Sequence, residues 1–380
     1  MATPQFKHLR RTYGFDEVAI APGNITINPD QANIDFKLGD LTLPVPIMAA
    51  AMDAVTDVNF AILMGKLGGL AVLNLEGVQV RYDNPHEVLA EICQTPDAKV
   101  TPLLQKIYTE PIKENLIGDR IEAVKKGGVV CAVATPPSNT KRFAPIAAEA
   151  GADIFVVQST VTSARHISRS YRGLIFTELC KSVPIPIVVG NCVSYGACLE
   201  LMRTGVVGVL VGVGPGAACT TREVLGVGVP QITATMDCAA AREAYLRESG
   251  NYVSVITDGG FRKGGDICKA FAAGADAVML GSMFAQAKEA PGKGYHWGMS
   301  HPHPALPRGT RIKVGTKGSL EQILFGPTAV TNGTQNLVGA IRTAMGVCGA
   351  FNMQEMHKVE MVVAPAITTE GKAWQLARPK

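Results

Sequence analysis

Val206-Val-Gly-Val-Leu-Val211-Gly-Val-Gly-Pro-Gly-Ala-Ala-Cys219-Thr-Thr-Arg222 is the stretch from which the rest of the chain is read. Its first half is valine-rich with no polar alternation, the composition of a strand buried on both faces of a parallel sheet. The run stops at Gly212, Gly214 and Gly216, residues that reach positive φ and let backbone approach a ligand closely. Cys219 therefore falls on a loop just past the C-terminal end of a strand, where α/β folds place their chemistry. A free cysteine is ordinarily a small buried hydrophobe, and Cys131, Cys180, Cys192 and Cys268, inside apolar runs, fit that description. Cys219 has Gly, Ala and Thr for neighbours, so it reads as a reactive thiol.

Working outward, the same unit recurs: a short apolar run, a loop of small polar residues, then an amphipathic stretch. The runs are Val45–Ala49, Leu70–Leu73, Val129–Val133, Ile154–Val157, Ile185–Val189, Val206–Val211, Val253–Ile256 and Ala277–Leu280. Helical patterns lie between most of them, among them Asp57–Leu67, Thr140–Ala150, Tyr195–Thr204, Thr233–Ser249 and Lys263–Ala273. Strand alternating with helix predicts parallel pairing through crossovers. Eight such units predict a closed α/β barrel, the (β/α)8 TIM barrel. An open doubly wound sheet is the alternative, but the six strands and dinucleotide fingerprint that would favour it are missing. One domain, 1–380, is expected. Residues 1–40 read as an extended lead-in, and 293–317 as a mobile active-site flap interrupted by Pro302, Pro304 and Pro307. A helix from Thr334 to Met345 and a tail over 350–380, extended near Met361–Ala366, close the chain.

Bulk properties remove several function classes. A net charge of +4 on 380 residues predicts no nucleic-acid surface. No apolar run reaches the roughly 18–20 residues that span a bilayer, and Met1–Lys7 lacks an apolar signal core. Nine cysteines at irregular spacing, with no C-x-x-C pair, match reduced thiols rather than a disulfide framework or zinc site. A cytoplasmic protein without membrane partners is expected.

In a barrel all eight loops after the strands converge on one mouth. They begin at Ala50, Asn74, Thr135, Gln158, Gly190, Gly212, Asp258 and Gly281, and nearly every one is rich in small hydrogen-bonding residues. Asp258-Gly259-Gly260 and Gly281-Ser282 follow the seventh and eighth runs, the usual phosphate cradle of a barrel. Glycine-turn N–H groups bind phosphate oxygens, Ser282 adds a hydroxyl, and Asp258 accepts from two ribose hydroxyls. With Cys219 one strand away, a nucleotide-sized ligand spans the mouth. A thiolate facing a purine C2 is a nucleophile whose tetrahedral adduct loses hydride. Thr221 either assists that adduct or a hydrolytic water, or bonds only local backbone. The carbonyls of Gly214, Gly216 and Cys219 are candidate ligands for a monovalent cation. His296, His301 and His303 fall in one segment, but Pro302 and Pro304 force an extended spacing and no Cys or carboxylate joins them, so no metal site is expected there. Arg308 is either a surface arginine or a cationic clamp or base.

Gly212–Arg222, Asp258-Gly-Gly-Phe-Arg-Lys-Gly-Gly-Asp266 and Gly274-Ala-Asp-Ala-Val-Met-Leu-Gly-Ser282, with Ala50-Ala-Met-Asp53 and Gly190-Asn191, resemble the IMP dehydrogenase/GMP reductase family. The likeness runs from about Tyr13 to Gly349. It implies a (β/α)8 barrel, a homotetramer or octamer, and a cysteine that forms a covalent purine intermediate during hydride transfer. Regulatory CBS modules often follow the family's second strand; Gln79–Lys125 is too short for them, so the chain resembles the subgroup without CBS modules. By resemblance Cys219 is the nucleophile and Thr221 its partner. Asp258 is the ribose ligand, and Gly259, Gly260, Gly281 and Ser282 lie at the phosphate. Met52, Asn191, Met279, Gly298, Met299 and Ser300 fall at substrate-pocket positions, Gln158 and Ser159 on the NAD side, and Gly214, Gly216 and Cys219 at the potassium loop. Departures stand out. Ala49 and Ala217 replace serines, Gln158 replaces an aspartate, and the flap lacks the Arg-Tyr pair that activates water. Arg308 aligns with the family's flap Glu or Gln. The lysine, aspartate and flap glutamate of GMP reductases are replaced by Leu75, Gln158 and Arg308, whereas Gly298-Met-Ser300 looks like the reductase. The implied reaction is NAD-dependent oxidation of IMP to XMP, with Arg308 as water activator. GMP reduction with NADPH, a non-catalytic purine-nucleotide-binding regulator, and a flavin barrel are the alternatives.

Overall fold

In the computed structural model, residues 7, 9–167, 173–298 and 311–364 are described. Eight parallel strands close on themselves: β1 (Ile47–Ala49), β2 (Leu70–Asn74), β3 (Ala132–Thr135), β4 (Ile154–Gln158), β5 (Ile187–Cys192), β6 (Gly208–Val211), β7 (Ser254–Asp258) and β8 (Ala277–Leu280). Each pairs with the next, and β8 returns to β1 through Val278–Ile47, Met279–Met48 and Leu280–Ala49. Each strand is followed by a helix of the outer ring. In order these are Val58–Lys66, Glu114–Lys126, Pro137–Glu149, Phe176–Ser182, Tyr195–Met202, Gln231–Ser249, Gly264–Ala272 and Leu337–Cys348.

The missing alternation in the apolar runs has a direct cause. Met48, Leu70, Val72, Ala132, Ile154, Val156, Val188, Leu210, Ile256 and Met279 pack together inside the barrel. Their neighbours Ile47, Leu73, Val133, Phe155, Val189, Val209, Val255 and Val278 face the helices. Both faces are dry, so both are apolar. Truncating such a side chain, for example Leu210→Ala, removes about 2–5 kcal/mol of stability by transfer and cavity terms.

The expected lead-in is more ordered than its sequence implies. Phe36–Leu38 and Leu41–Leu43 form an antiparallel hairpin, and Phe36, Leu38 and Leu43 join the inner cluster. Four apolar side chains, Leu41 with these three, make that contact, too few to show as a periodicity. Near the other end, Met361–Val363 pairs antiparallel with Val18–Ile20, consistent with the extended tail expected there. The last ring helix begins at Leu337 rather than Thr334, because Asn336 caps it by accepting from Gly339 N at 3.1 Å.

The segment between β2 and its ring helix folds as two extra helices, Pro85–Gln94 and Asp97–Ile107. They build a small core of their own around Leu89, Ile92, Leu104 and Tyr108, into which Trp297 inserts. Of the expected flap, 299–310 lies outside the described residues. Its two roots form a short antiparallel ladder, Tyr295–His296 against Ile312–Lys313. Among the described residues no helix is long and apolar enough to cross a membrane.

Candidate active site

A cavity opens at the C-terminal ends of the strands. It is lined by Met52, Gln158, Ser159, Asn191, Gly214, Gly216, Cys219, Thr221, Asp258, Gly259, Gly260, Met279, Gly281, Ser282 and Gly298. Met299, Ser300 and Arg308, also expected here, lie outside the described residues. Six of the eight strand-end loops contribute. The loops after β2 and β3 do not, contrary to the expectation that all eight converge. Glu76 at the end of β2 is held to the side by Asn139 Nδ2 at 2.6 Å and Thr135 Oγ1 at 3.3 Å. Leu75 is buried.

The loop after β6 is shaped by its glycines. Gly212 has φ +148, and a Cβ there would lie 2.5 Å from the Asp258 carbonyl. Gly214 sits at φ +73 over the Arg222 side chain. The loop closes with Cys219 N donating to Gly216 O at 3.0 Å. This leaves the Cys219 thiol exposed, with Sγ 3.2 Å from the hydroxyl of buried Thr221. Arg222 runs beneath the loop, donating from Nε to Val213 O at 3.1 Å and from Nη2 to Val229 O at 2.7 Å. Burial lowers its pKa, and the adjacent Cys219 works in the opposite direction.

Across the cavity, Asp258 Oδ2 accepts from Asn191 Nδ2 at 2.8 Å and Gln158 Nε2 at 2.9 Å. Burial pushes this carboxyl up to about 6, and the two amide donors hold it from going further. The Gln158 amide oxygen is buried with no partner among the described residues, so the network is short of one donor. Gly259 and Gly260 have φ +83 and +85, conformations that side chains rarely adopt. Ser282 Oγ is hydrogen-bonded to His296 Nε2 at 2.8 Å. Burial lowers the His296 pKa to about 4, so this ring is neutral at pH 7.

Comparison with known proteins gives the family. Residues 12–373 match the model of the IMP dehydrogenase / GMP reductase domain. The chain belongs to this family. Similar proteins include an uncharacterized oxidoreductase of Mycolicibacterium smegmatis, 38% identical over 363 residues, covering 93% of this chain and 97% of that protein. An inosine-5'-monophosphate dehydrogenase of Cryptosporidium parvum is 29% identical, covering 96% of this chain and 94% of its own length. The crystal structure of an IMP dehydrogenase/GMP reductase-like protein from Corynebacterium glutamicum superposes with a TM-score of 0.90 at 36% identity, covering 96% and 97% of the two chains.

The structure of this family member adds residues that its sequence did not single out. Gln231 opens the ring helix after β6, and its Nε2 donates to Asp258 O at 2.9 Å, Val211 O at 3.2 Å and Gly259 O at 3.3 Å. One buried amide thereby joins the cysteine strand to the aspartate loop. A glutamine just after Pro230, at the start of a helix whose first half is mostly small residues, was the available signal. His296, in the root of the expected flap, also lines the cavity wall beside Ser282.

A third group lies behind the wall. The Trp297 indole N–H donates to Tyr108 Oη at 2.8 Å, and Tyr108 donates to Asp53 Oδ2 at 2.6 Å. Val78 N donates to the same oxygen at 2.9 Å. Trp297 lies between the wall residues His296 and Gly298, so this chain fixes where both stand. Tyr108→Phe removes two buried hydrogen bonds, stranding the Trp297 indole N–H and leaving Asp53 Oδ2 with Val78 N. We expect about 1–3 kcal/mol less stability, with KM for the purine nucleotide raised more than kcat is lowered. Denaturant melts and steady-state kinetics read both; an unchanged KM at unchanged stability would contradict the role.

Proposed function

We propose that the protein oxidises IMP to XMP with NAD. The observation that carries this reading is the exposed Cys219 thiol on a glycine loop, sharing one cavity with Asp258 and with the Gly281-Ser282 turn. The Ser282 hydroxyl and the N–H groups of Gly260 and Gly281 hold the 5'-phosphate. Asp258, ionised above pH 6, accepts from the ribose hydroxyls, which take over from the Gln158 amide. Met52 and Met279 pack on the base, and Asn191 keeps Asp258 aimed at the sugar.

Held in this way, the base presents C2 to Cys219. The thiolate attacks C2, forming an S–C bond, and the hydrogen on C2 departs with its electron pair. Water then adds to C2, the S–C bond breaks, and the water's proton passes to a base, releasing XMP and the free cysteine. Thr221, 3.2 Å from the sulfur, donates to the thiolate and then faces the incoming water. Arg308 is the proposed water activator.

The hydride acceptor fits beside Gln158 and Ser159, where the unpartnered Gln158 oxygen offers an acceptor to a ribose or carboxamide group. NAD supplies the oxidising nicotinamide ring. The carbonyls of Gly214, Gly216 and Cys219 are hard oxygen donors suited to K+. A homotetramer or octamer in the cytoplasm completes the proposal.

One assay discriminates the readings. Purified protein is expected to form NADH from IMP and NAD, faster in K+ than in Li+ by on the order of tenfold. Consumption of NADPH with GMP would instead assign the reductase. Purine-nucleotide binding with neither reaction would assign a non-catalytic regulator.

A further inference from the structure

Three of the nine cysteines that the sequence scatters meet in the core. Cys192 ends β5, Cys198 lies in the helix Tyr195–Met202, and Cys238 lies in the helix Gln231–Ser249. Their sulfurs all lie within 4.8 Å of one another, with Cys192 and Cys238 Sγ 4.0 Å apart. The most exposed of the three is 2% accessible. None has a part in the chemistry proposed at Cys219. No carboxylate or imidazole among the described residues joins the cluster. The nearby cation, Arg242, is already paired with Asp276 at 2.8 Å and Glu243 at 3.1 Å.

Charge decides what such a site accepts. Three thiolates around Zn2+ leave one uncompensated negative charge, and around Cu+ two, in a pocket shut off from water where unpaired charge is costly. Zinc also requires a fourth ligand. A trivalent thiophilic centre bound to three thiolates is neutral and needs no fourth ligand. We propose that Cys192, Cys198 and Cys238 form a three-sulfur site for a trivalent element of the arsenic group, taken up as its neutral trihydroxide. Three sulfur–arsenic bonds form as three arsenic–oxygen bonds break. Each thiol proton leaves with a hydroxide as water, and no atom changes oxidation state. Entry requires local opening of the core, so uptake is slow. The bound element ties the end of β5, next to Asn191, to the helix that begins with Gln231.

The test uses sodium arsenite and the intact chain, with native mass spectrometry as readout, so it is independent of which purine reaction the protein performs. One equivalent is expected, with a mass gain of one arsenic less three hydrogens and a raised Tm. Cys219→Ala is expected to retain full uptake. Cys198→Ala and Cys238→Ala are expected to weaken it by about tenfold or more, since one of three linked bonds is gone. Arsenic X-ray absorption on the wild-type protein counts the sulfurs without relying on any variant folding, and three are expected. No uptake, uptake unchanged in Cys198→Ala, uptake lost in Cys219→Ala, or a centre with fewer than three sulfurs would each overturn the site.

Discussion

Cys219→Ala is expected to lower kcat with IMP and NAD by about 10^4-fold or more, the usual scale for removing a covalent nucleophile, while IMP still binds within a few-fold of wild type. The two effects separate because the sulfur makes its bond only during reaction, whereas phosphate and ribose are held elsewhere in the cavity. The thiol is exposed and its loop is fixed by other groups, namely Arg222, Gly212 and Gly214. Removing one sulfur atom there should leave the fold intact. Rapid acid quench with labelled IMP adds a second readout: wild-type protein should trap a covalent purine and the variant none. NADH production by the alanine variant at a tenth of the wild-type rate would end the case for Cys219 as nucleophile.

Asp258→Asn is expected to pull binding and stability in opposite directions. The carboxylate is the acceptor proposed for two ribose hydroxyls, and hydrogen bonds to a charged group contribute about 1.5–3 kcal/mol each. Weakening both should raise KM for IMP by on the order of 100-fold. The ligand-free protein should nevertheless become more stable at neutral pH. Burial lifts this carboxyl from the ordinary value of 3.8 to about 6 in the folded state. Below 3.8 both folded and unfolded states hold the proton and the group contributes nothing. Through the window from 3.8 to 6 the unfolded chain releases its proton first, so stability falls as pH rises. Above 6 the loss is complete, at most about 3 kcal/mol for a shift of this size. Asparagine keeps an acceptor for Asn191 and Gln158 without the charge. The variant's Tm should therefore exceed wild type at pH 7.5 and converge with it near pH 4. An equal difference at both pH values would show that the carboxylate is not under desolvation strain.

Much of the architecture was legible in the chain because it is local and repeated. Each apolar run became a barrel strand, and the loop after β6 delivered Cys219 to the surface of the cavity, since glycine frees the backbone and proline restricts it wherever they occur. The misses are of another kind. Glu76 looked like part of the mouth until Thr135 and Asn139 drew it aside. Gln231 and Tyr108 act through partners twenty or more residues away, and no periodicity records such a pairing. His296 falls in the root of the expected flap, and no local pattern records that its ring bonds to Ser282.

From sequence alone came the eight-fold alternation, the reactive cysteine and the glycine turns, because strand burial, backbone freedom and side-chain reactivity are properties of short segments. Tertiary structure decided which loops reach the cavity, the unpartnered Gln158 oxygen, the raised pKa of Asp258 and the meeting of three buried thiols. Those depend on which groups are brought together and on how much water is excluded between them, and both are set only when the barrel closes.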